Sequence, residues 1–172
     1  MDGRSLCYCP DCGESLVSRR IESRTRSYCV SCETPVYRNP KPCAGVLVID
    51  DQQLLLVKRT NPPGVGTWAV PAGFLEYDEP PQTGAARELE EETNITVSED
   101  DLDLFDTVFV TAGDRENVLV VIYRVDRCLT QGEPIPSSDA GDARFWNMDS
   151  FENSDERIEP GFKNLFHQAR TY

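Results

Sequence analysis

Gly73-Phe74-Leu75-Glu76-Tyr77-Asp78-Glu79-Pro80-Pro81-Gln82-Thr83-Gly84-Ala85-Ala86-Arg87-Glu88-Leu89-Glu90-Glu91-Glu92-Thr93-Asn94-Ile95 is the stretch on which the fold turns. Pro80-Pro81 marks a place where a helix can begin, because proline in the first turn gives up only an N–H that has no intrahelical partner. The helix is expected to run to about Thr93. Along it, Glu88 and Glu92 stand four residues apart and Glu88 and Glu91 three, so three carboxylates crowd one face. Without a cation that face repels itself by roughly 0.2–0.5 kcal/mol per pair. A hard divalent ion removes the repulsion. Magnesium takes oxygen ligands, keeps several waters and completes its shell with substrate phosphates. The same spacing also arises on exposed, salt-laced helices of acid-rich chains. Arg87 has two candidate partners, Glu91 one turn on and Glu79 in the loop before the helix.

Outward from the helix the pattern changes to strands. Cys43 to Ile49 and Leu54 to Lys58 are β-branched or leucine-rich runs separated by Asp50-Asp51-Gln52-Gln53, which reads as a hairpin. Asn61 to Gly66 is a loop, and Thr67 to Val70 a short strand. Leu104 to Thr111 and Val118 to Val125 form a second hairpin across residues 112–117. Thr130 to Gly141 reads as a long loop and Ala143 to Met148 as a strand. Phe162, Leu165, Phe166 and Ala169 have the spacing of an amphipathic terminal helix. Strands mixed with two helices give α/β or α+β.

The chain has 172 residues, 39% of them hydrophobic, enough for one ordinary domain and a small appended module. Acidic residues outnumber basic ones 30 to 17, for a net charge of −13, and only Lys41, Lys58 and Lys163 are lysines. That surface disfavours nucleic-acid coating and anionic membranes by the protein as a whole. So much acid with so little lysine also reads as adaptation to high salt. No run of eighteen apolar residues occurs, and neither a signal core nor a lipidation box is seen, so a cytoplasmic location is expected.

Residues 1–41 differ from the rest, with five cysteines and six arginines against five acids. Asn39-Pro40-Lys41-Pro42 is expected to break regular structure, which sets a boundary between a module at 1–41 and a domain at 42–172. Cys9-Pro10-Asp11-Cys12 and Cys29-Val30-Ser31-Cys32 are paired C-x2-C knuckles sixteen residues apart, a spacing that places four thiolates around one tetrahedral zinc. A closed four-cysteine site is structural, having no open position for water. Cys7 is a bystander on this reading, and Cys43 and Cys128 are buried apolar residues. The arginines from Arg19 to Arg26 read as a solvated hairpin face or as a contact for an anionic ligand.

The opening stretch resembles the Nudix box, matched at Gly73, Glu79, Arg87, Glu88, Leu89, Glu91, Glu92 and Ile95, and Gly66 to Ala72 resembles the family's lead-in. Asn94 stands where the family has its last glycine; asparagine is the usual substitute in a left-handed helix cap. The resemblance implies an α/β/α sandwich with a mixed sheet, preceded here by a zinc ribbon. It implies a hydrolase of nucleoside diphosphate-linked compounds using Mg2+ or Mn2+. By the same resemblance Glu88, Glu92, Glu91 and the Ala72 carbonyl would ligate the metal, with Glu91 a further ligand or base, and Glu79 with Arg87 would be a positioning pair. Members often complete water activation with a carboxylate beyond the box; Asp139, Asp142 and then Glu116 are the candidates here. Trp68 and Phe74, with Tyr77, Phe109 and Trp146, are candidates to stack on a base, although aromatic residues on strands are more often core, and His167 is expected to be structural or exposed. A ribbon before such a domain is similar to the NADH pyrophosphatase group and to members acting on ADP-ribose or FAD. These compounds make the substrate short list. A non-catalytic nucleotide sensor and removal of a nucleotide cap from RNA are the competing readings, and ribbons or exchanged strands could build a homodimer.

Overall fold

A computed structural model describes residues 6–62, 64–111, 117–138 and 140–169, without the side chains of 166 and 167. The chain starts with a small antiparallel sheet, β1 (Val17–Ile21), β2 (Arg24–Cys29) and β3 (Thr34–Val36). Ahead of β1, Gly13 takes φ +77 and donates to the Cys9 carbonyl, closing the turn that carries the first cysteine knuckle.

A second sheet begins at Lys41. Its main path is β12 (Ala140–Asn147), β5 (Gln53–Arg59), β4 (Lys41–Asp50), β10 (Val118–Asp126) and β9 (Asp103–Val110). Only β4 and β10 run parallel within this path, so the sheet is mixed. Side chains alternate along β4: Ala44, Val46 and Val48 face one core, whereas Cys43 and Leu47 face the other. The first face is covered by α1 (Pro81–Thr93) through Ala85 and Leu89. The second is covered by α2 (Met148–Glu152) and α3 (Lys163–Ala169), with Met148, Phe151, Leu165 and Ala169 buried against Leu54 and Leu56. Helices on both faces of a mixed sheet make the expected α/β/α sandwich.

The feature that positions the site is a split in the sheet. β4 and β5 pair only at Ile49–Leu54 and Asp50–Gln53, next to the hairpin turn, and then part. The gap is filled by β6 (Trp68–Ala69), which pairs with β5, and β7 (Ala72–Phe74), which pairs with β4. The inserted backbone approaches very closely. A Cβ on Gly45 would lie 2.5 Å from both the Ala72 Cβ and the Pro71 carbonyl oxygen, so only glycine admits the insertion at this depth.

Several sequence expectations change in detail. β4 starts at Lys41 and incorporates Pro42, whose missing N–H is tolerated at the beginning of a strand. The expected loop from Thr130 contains β11 (Thr130–Gln131), paired with β8 (Thr96–Val97), and β12 already begins at Ala140. Helix α2 was not expected; Asn147 caps it by accepting from the Asp149 and Ser150 N–H groups. Cys43 is buried, but Cys128 is exposed in a 3-10 turn rather than packed on a strand. Among the described residues no helix is long and apolar enough to cross a membrane.

Candidate functional site

Helix α1 begins and ends where the sequence expects. Pro80 and Pro81 open it, and Asn94 closes it at φ 60, ψ 18, donating its N–H to the Glu90 carbonyl. Asn94 therefore adopts the left-handed cap that glycine takes elsewhere. The stripe that packs on the sheet runs through Ala85, Leu89 and then Glu92 with Thr93. This periodicity buries one carboxylate and leaves the others at the rim: Glu92 is 7% exposed, the Glu88 side chain 15% and that of Glu91 51%.

Each of the two deeper carboxylates meets the strand inserted into the sheet. Glu92 Oε2 accepts from the Ala72 N–H at 3.1 Å. The Glu88 carboxyl lies over Gly73, where an added Cβ would stand 2.2–2.3 Å from its three terminal atoms. Gly73 thus serves as the floor on which Glu88 rests. Gly84 has a related part, because a Cβ there would press on Leu75 at 2.4 Å and on Glu79 Oε2 at 2.8 Å.

Both candidate partners of Arg87 are engaged. Its guanidinium grips Glu79 with two bonds of 2.8 Å, donates to Glu88 at 2.7 Å and Glu91 at 3.3 Å, and reaches the Phe74 carbonyl at 3.1 Å. The bidentate bond to Arg87 holds the Glu79 carboxyl below the usual carboxylate range, and the Arg87 guanidinium is correspondingly pushed up, chiefly by Glu79. The loop before the helix, the strand beneath it and the helix face are thereby tied to one fixed cation. In this arrangement Glu88, Glu91 and Glu92 do not converge as a ready metal cage. Among the described residues only the four cysteines bring all their ligand atoms within 4.8 Å of one another. The donor set on α1 nevertheless suits a hard divalent ion: carboxylate oxygens at graded depth, beside the main chain of Ala72 and Gly73.

The cysteine cluster comprises Cys9, Cys12, Cys29 and Cys32. The Sγ–Sγ distances are 4.0 Å for Cys9–Cys32 and 3.5 Å for Cys12–Cys29, against about 3.8 Å for the edge of a tetrahedron with metal–sulfur bonds of about 2.3 Å. The Cys32 N–H also donates to Cys29 Sγ at 3.4 Å. Backbone N–H groups of Cys12 and Asp11 bring the Cys9 thiol down to about 7, whereas its neighbours' sulfurs push Cys32 up. Such a spread is expected of four thiols sharing one small space. Cys7 lies outside the cluster.

The remaining candidates separate by placement. Trp68 is 1% exposed, with its indole N–H bonded to Glu156 at 2.9 Å and Trp146 packed edge-on at 5.3 Å. It is a core residue, and no ring face is left for a substrate base. Phe74 is 54% exposed at the edge of the carboxylate site and Tyr77 is fully exposed. Phe109 is exposed on β9 and Trp146 packs against Phe151. Asp142 is held by Arg144. Asp139, Glu116 and the His167 side chain lie outside the described residues. Two positions escaped sequence reasoning. Lys41 places its ammonium 5.3 Å from the Phe74 ring centre, and Gly45 makes room for the inserted strand. Neither belongs to a local pattern, since both act through pairing across the sheet.

A family model described as NUDIX domain matches residues 39–168. The chain belongs to the NUDIX domain family. A solved Nudix hydrolase from Nitrosomonas europaea superposes on this Nudix domain protein with a TM-score of 0.68 and 25% identity, covering 94% of this chain and 89% of that one. Among curated proteins, an ADP-ribose pyrophosphatase of Methanocaldococcus jannaschii is 27% identical over 118 residues, 67% of this chain and 66% of that protein. The NAD-capped RNA hydrolase NudC of Vibrio atlanticus is 35% identical over 95 residues, 55% of this chain and 34% of that protein. The chain thus spans between about a third and two thirds of the length of the curated relatives it matches.

Proposed function

We propose that the chain is a divalent-metal-dependent pyrophosphohydrolase that cleaves the diphosphate of a nucleoside diphosphate-linked compound, with ADP-ribose, NADH and FAD as the substrate short list. The observation that carries this reading is the pairing of Glu92 with the Ala72 N–H and of Glu88 with the surface of Gly73, which sets two carboxylates against neighbouring residues of one inserted strand. Relatives named for ADP-ribose and for NAD-capped RNA support the substrate class. Residues 42–172 form the hydrolase domain in this account, and residues 1–41 a ribbon whose four thiolates hold a structural zinc.

Glu88, Glu92 and the Ala72 carbonyl would hold Mg2+ or Mn2+, with Glu91 as a further ligand or base. When bound, the ion neutralises diphosphate charge and lowers the pKa of a coordinated water. Arg87, fixed by Glu79, keeps Glu88 and Glu91 at set positions and balances their charge before the metal arrives. Phe74 offers an exposed ring for stacking, and Lys41 beside it a cation for the substrate's phosphates. Water adds at one phosphorus, the bond from that phosphorus to the bridging oxygen breaks, and two phosphate monoesters leave, one of them AMP for the compounds named.

The test is product analysis after incubating zinc-loaded protein and Mg2+ with ADP-ribose, NADH, NAD, FAD, ADP-glucose and nucleoside triphosphates. Metal-dependent release of AMP from one or two of these, lost in Glu92→Gln with nucleotide binding retained, is the expected result. Binding without turnover of any compound, in wild type and Glu92→Gln alike, would point instead to a nucleotide sensor.

A further inference from the structure

The hairpin of the ribbon has a charge arrangement that its own fold does not need. Strands β1 and β2 pair Val17 with Tyr28, Arg19 with Arg26 and Ile21 with Arg24, so Arg19, Arg24 and Arg26 share one face. Arg19 and Arg26 are directly opposite, where like charges destabilise the pairing. Relief would be simple in a chain with 30 acidic residues. Yet among the described residues none of Arg19, Arg20, Arg24 and Arg26 has an ion pair, whereas Lys58, Arg59, Arg87, Arg124, Arg127 and Arg144 each have a carboxylate partner.

Two tyrosines hold two of these guanidinium groups instead. Arg19 lies over the Tyr28 ring at 4.5 Å and Arg26 over the exposed Tyr37 at 4.9 Å. Residues 1–41 carry a net charge of +2 and residues 42–172 one of −15, so a polyanion repelled by the rest of the surface meets local attraction here, within a screening length of about 8 Å. Preset guanidinium groups beside aromatic rings on an open strand face are what successive phosphates and unstacked bases require. An acidic protein surface would use the charge but not the rings.

We propose that the Arg19–Arg24–Arg26 face of the ribbon, with Tyr28 and Tyr37, binds single-stranded polynucleotide. This face belongs to a different sheet and shares no residue with the carboxylate helix, so the proposal stands or falls independently of the hydrolase reading.

The experiment is fluorescence anisotropy of an end-labelled twelve-nucleotide oligoadenylate RNA, titrated with the zinc-loaded full chain between 20 and 300 mM KCl. Three phosphate contacts predict a log–log salt slope of about −2. In R19A/R26A the slope falls to about −0.7 and affinity at low salt drops at least about tenfold, while R19K/R26K keeps most of the slope. R124A, which alters an ion pair on the large sheet, leaves binding unchanged. Zinc content and melting temperature establish that each variant is folded, and turnover of a small substrate, measured in parallel, stays at the wild-type rate. Absence of RNA binding at 20 mM KCl, or binding that survives R19A/R26A, overturns the proposal. Self-association abolished by R19A/R26A, without RNA binding, overturns it in favour of the acidic surface of a second copy.

Discussion

Gly73→Ala separates the chemistry of the site from the stability of the fold. Gly73 does not have a positive φ, so alanine fits its backbone without strain. The conflict is local: the new Cβ would stand 2.2 Å from the Glu88 Cδ and Oε1 and 2.3 Å from Oε2, where an ordinary contact needs about 3.5 Å. The carboxyl must therefore retreat by more than about 1 Å, and it can, because it is the far end of a flexible side chain. Folding should lose about 1–2 kcal/mol, because the carboxyl changes rotamer and loosens its 2.7 Å bond from Arg87, whose two bonds to Glu79 persist. Turnover should lose about 100-fold, since a displacement near 1 Å in a positioned group costs about that factor, equivalent to about 2.7 kcal/mol at the transition state. The assay compares kcat and KM for the best compound of the substrate panel with the melting temperature of the same preparation. Gly73→Ala with wild-type turnover would refute the placement of Glu88 over Gly73 as part of the reacting site.

Further outcomes follow from the same geometry. Arg87→Lys cannot reproduce the two-pronged bond to Glu79 and should lower melting stability by about 1–3 kcal/mol and kcat by at least about tenfold, read by thermal denaturation and steady-state kinetics. The Glu79 carboxyl titrates below its unfolded value, so its contribution is fully present above about pH 4.3 and disappears as pH falls through the lower folded value. Acid denaturation of Glu79→Gln should accordingly show a shallower stability loss below about pH 4.3 than wild type. Asn94→Ala puts a β-carbon without a compensating amide into the left-handed cap and should cost about 1–2 kcal/mol, whereas Asn94→Gly should be nearly neutral, both measured by urea unfolding. Metal analysis should find about one zinc per chain in wild type and a large loss in Cys12→Ser, with Cys7→Ser unaffected.

What could be read in advance was whatever depends on local pattern. The limits of α1 follow from Pro80-Pro81 and Asn94, and the four thiols from two C-x2-C turns. The hairpin β4–β5 and the strands β9 and β10 follow from apolar runs that are long enough to show. Features that arise from pairing at a distance could not be read. In sequence Trp68 could stack on a base or belong to the core; the choice is made only when β6 enters the gap between β4 and β5 and the ring is buried against Trp146. Gly45 carries no motif, and its need for glycine exists only once Pro71 and Ala72 press on it. The unequal depth of Glu88, Glu91 and Glu92 likewise depends on which stripe of α1 meets the sheet, a choice made by Ala85 and Leu89. Strands β8 and β11 have two residues each, too short for any alternation to register.

The most direct test of the central claim is Mn2+ binding by electron paramagnetic resonance, on wild type and Glu92→Gln loaded with zinc. The account predicts at least about tenfold weaker Mn2+ binding in Glu92→Gln, since one charged ligand is lost at the most buried position, with helix content unchanged. Equal Mn2+ affinity in the two proteins would contradict the assignment of the α1 carboxylates as the metal-holding centre.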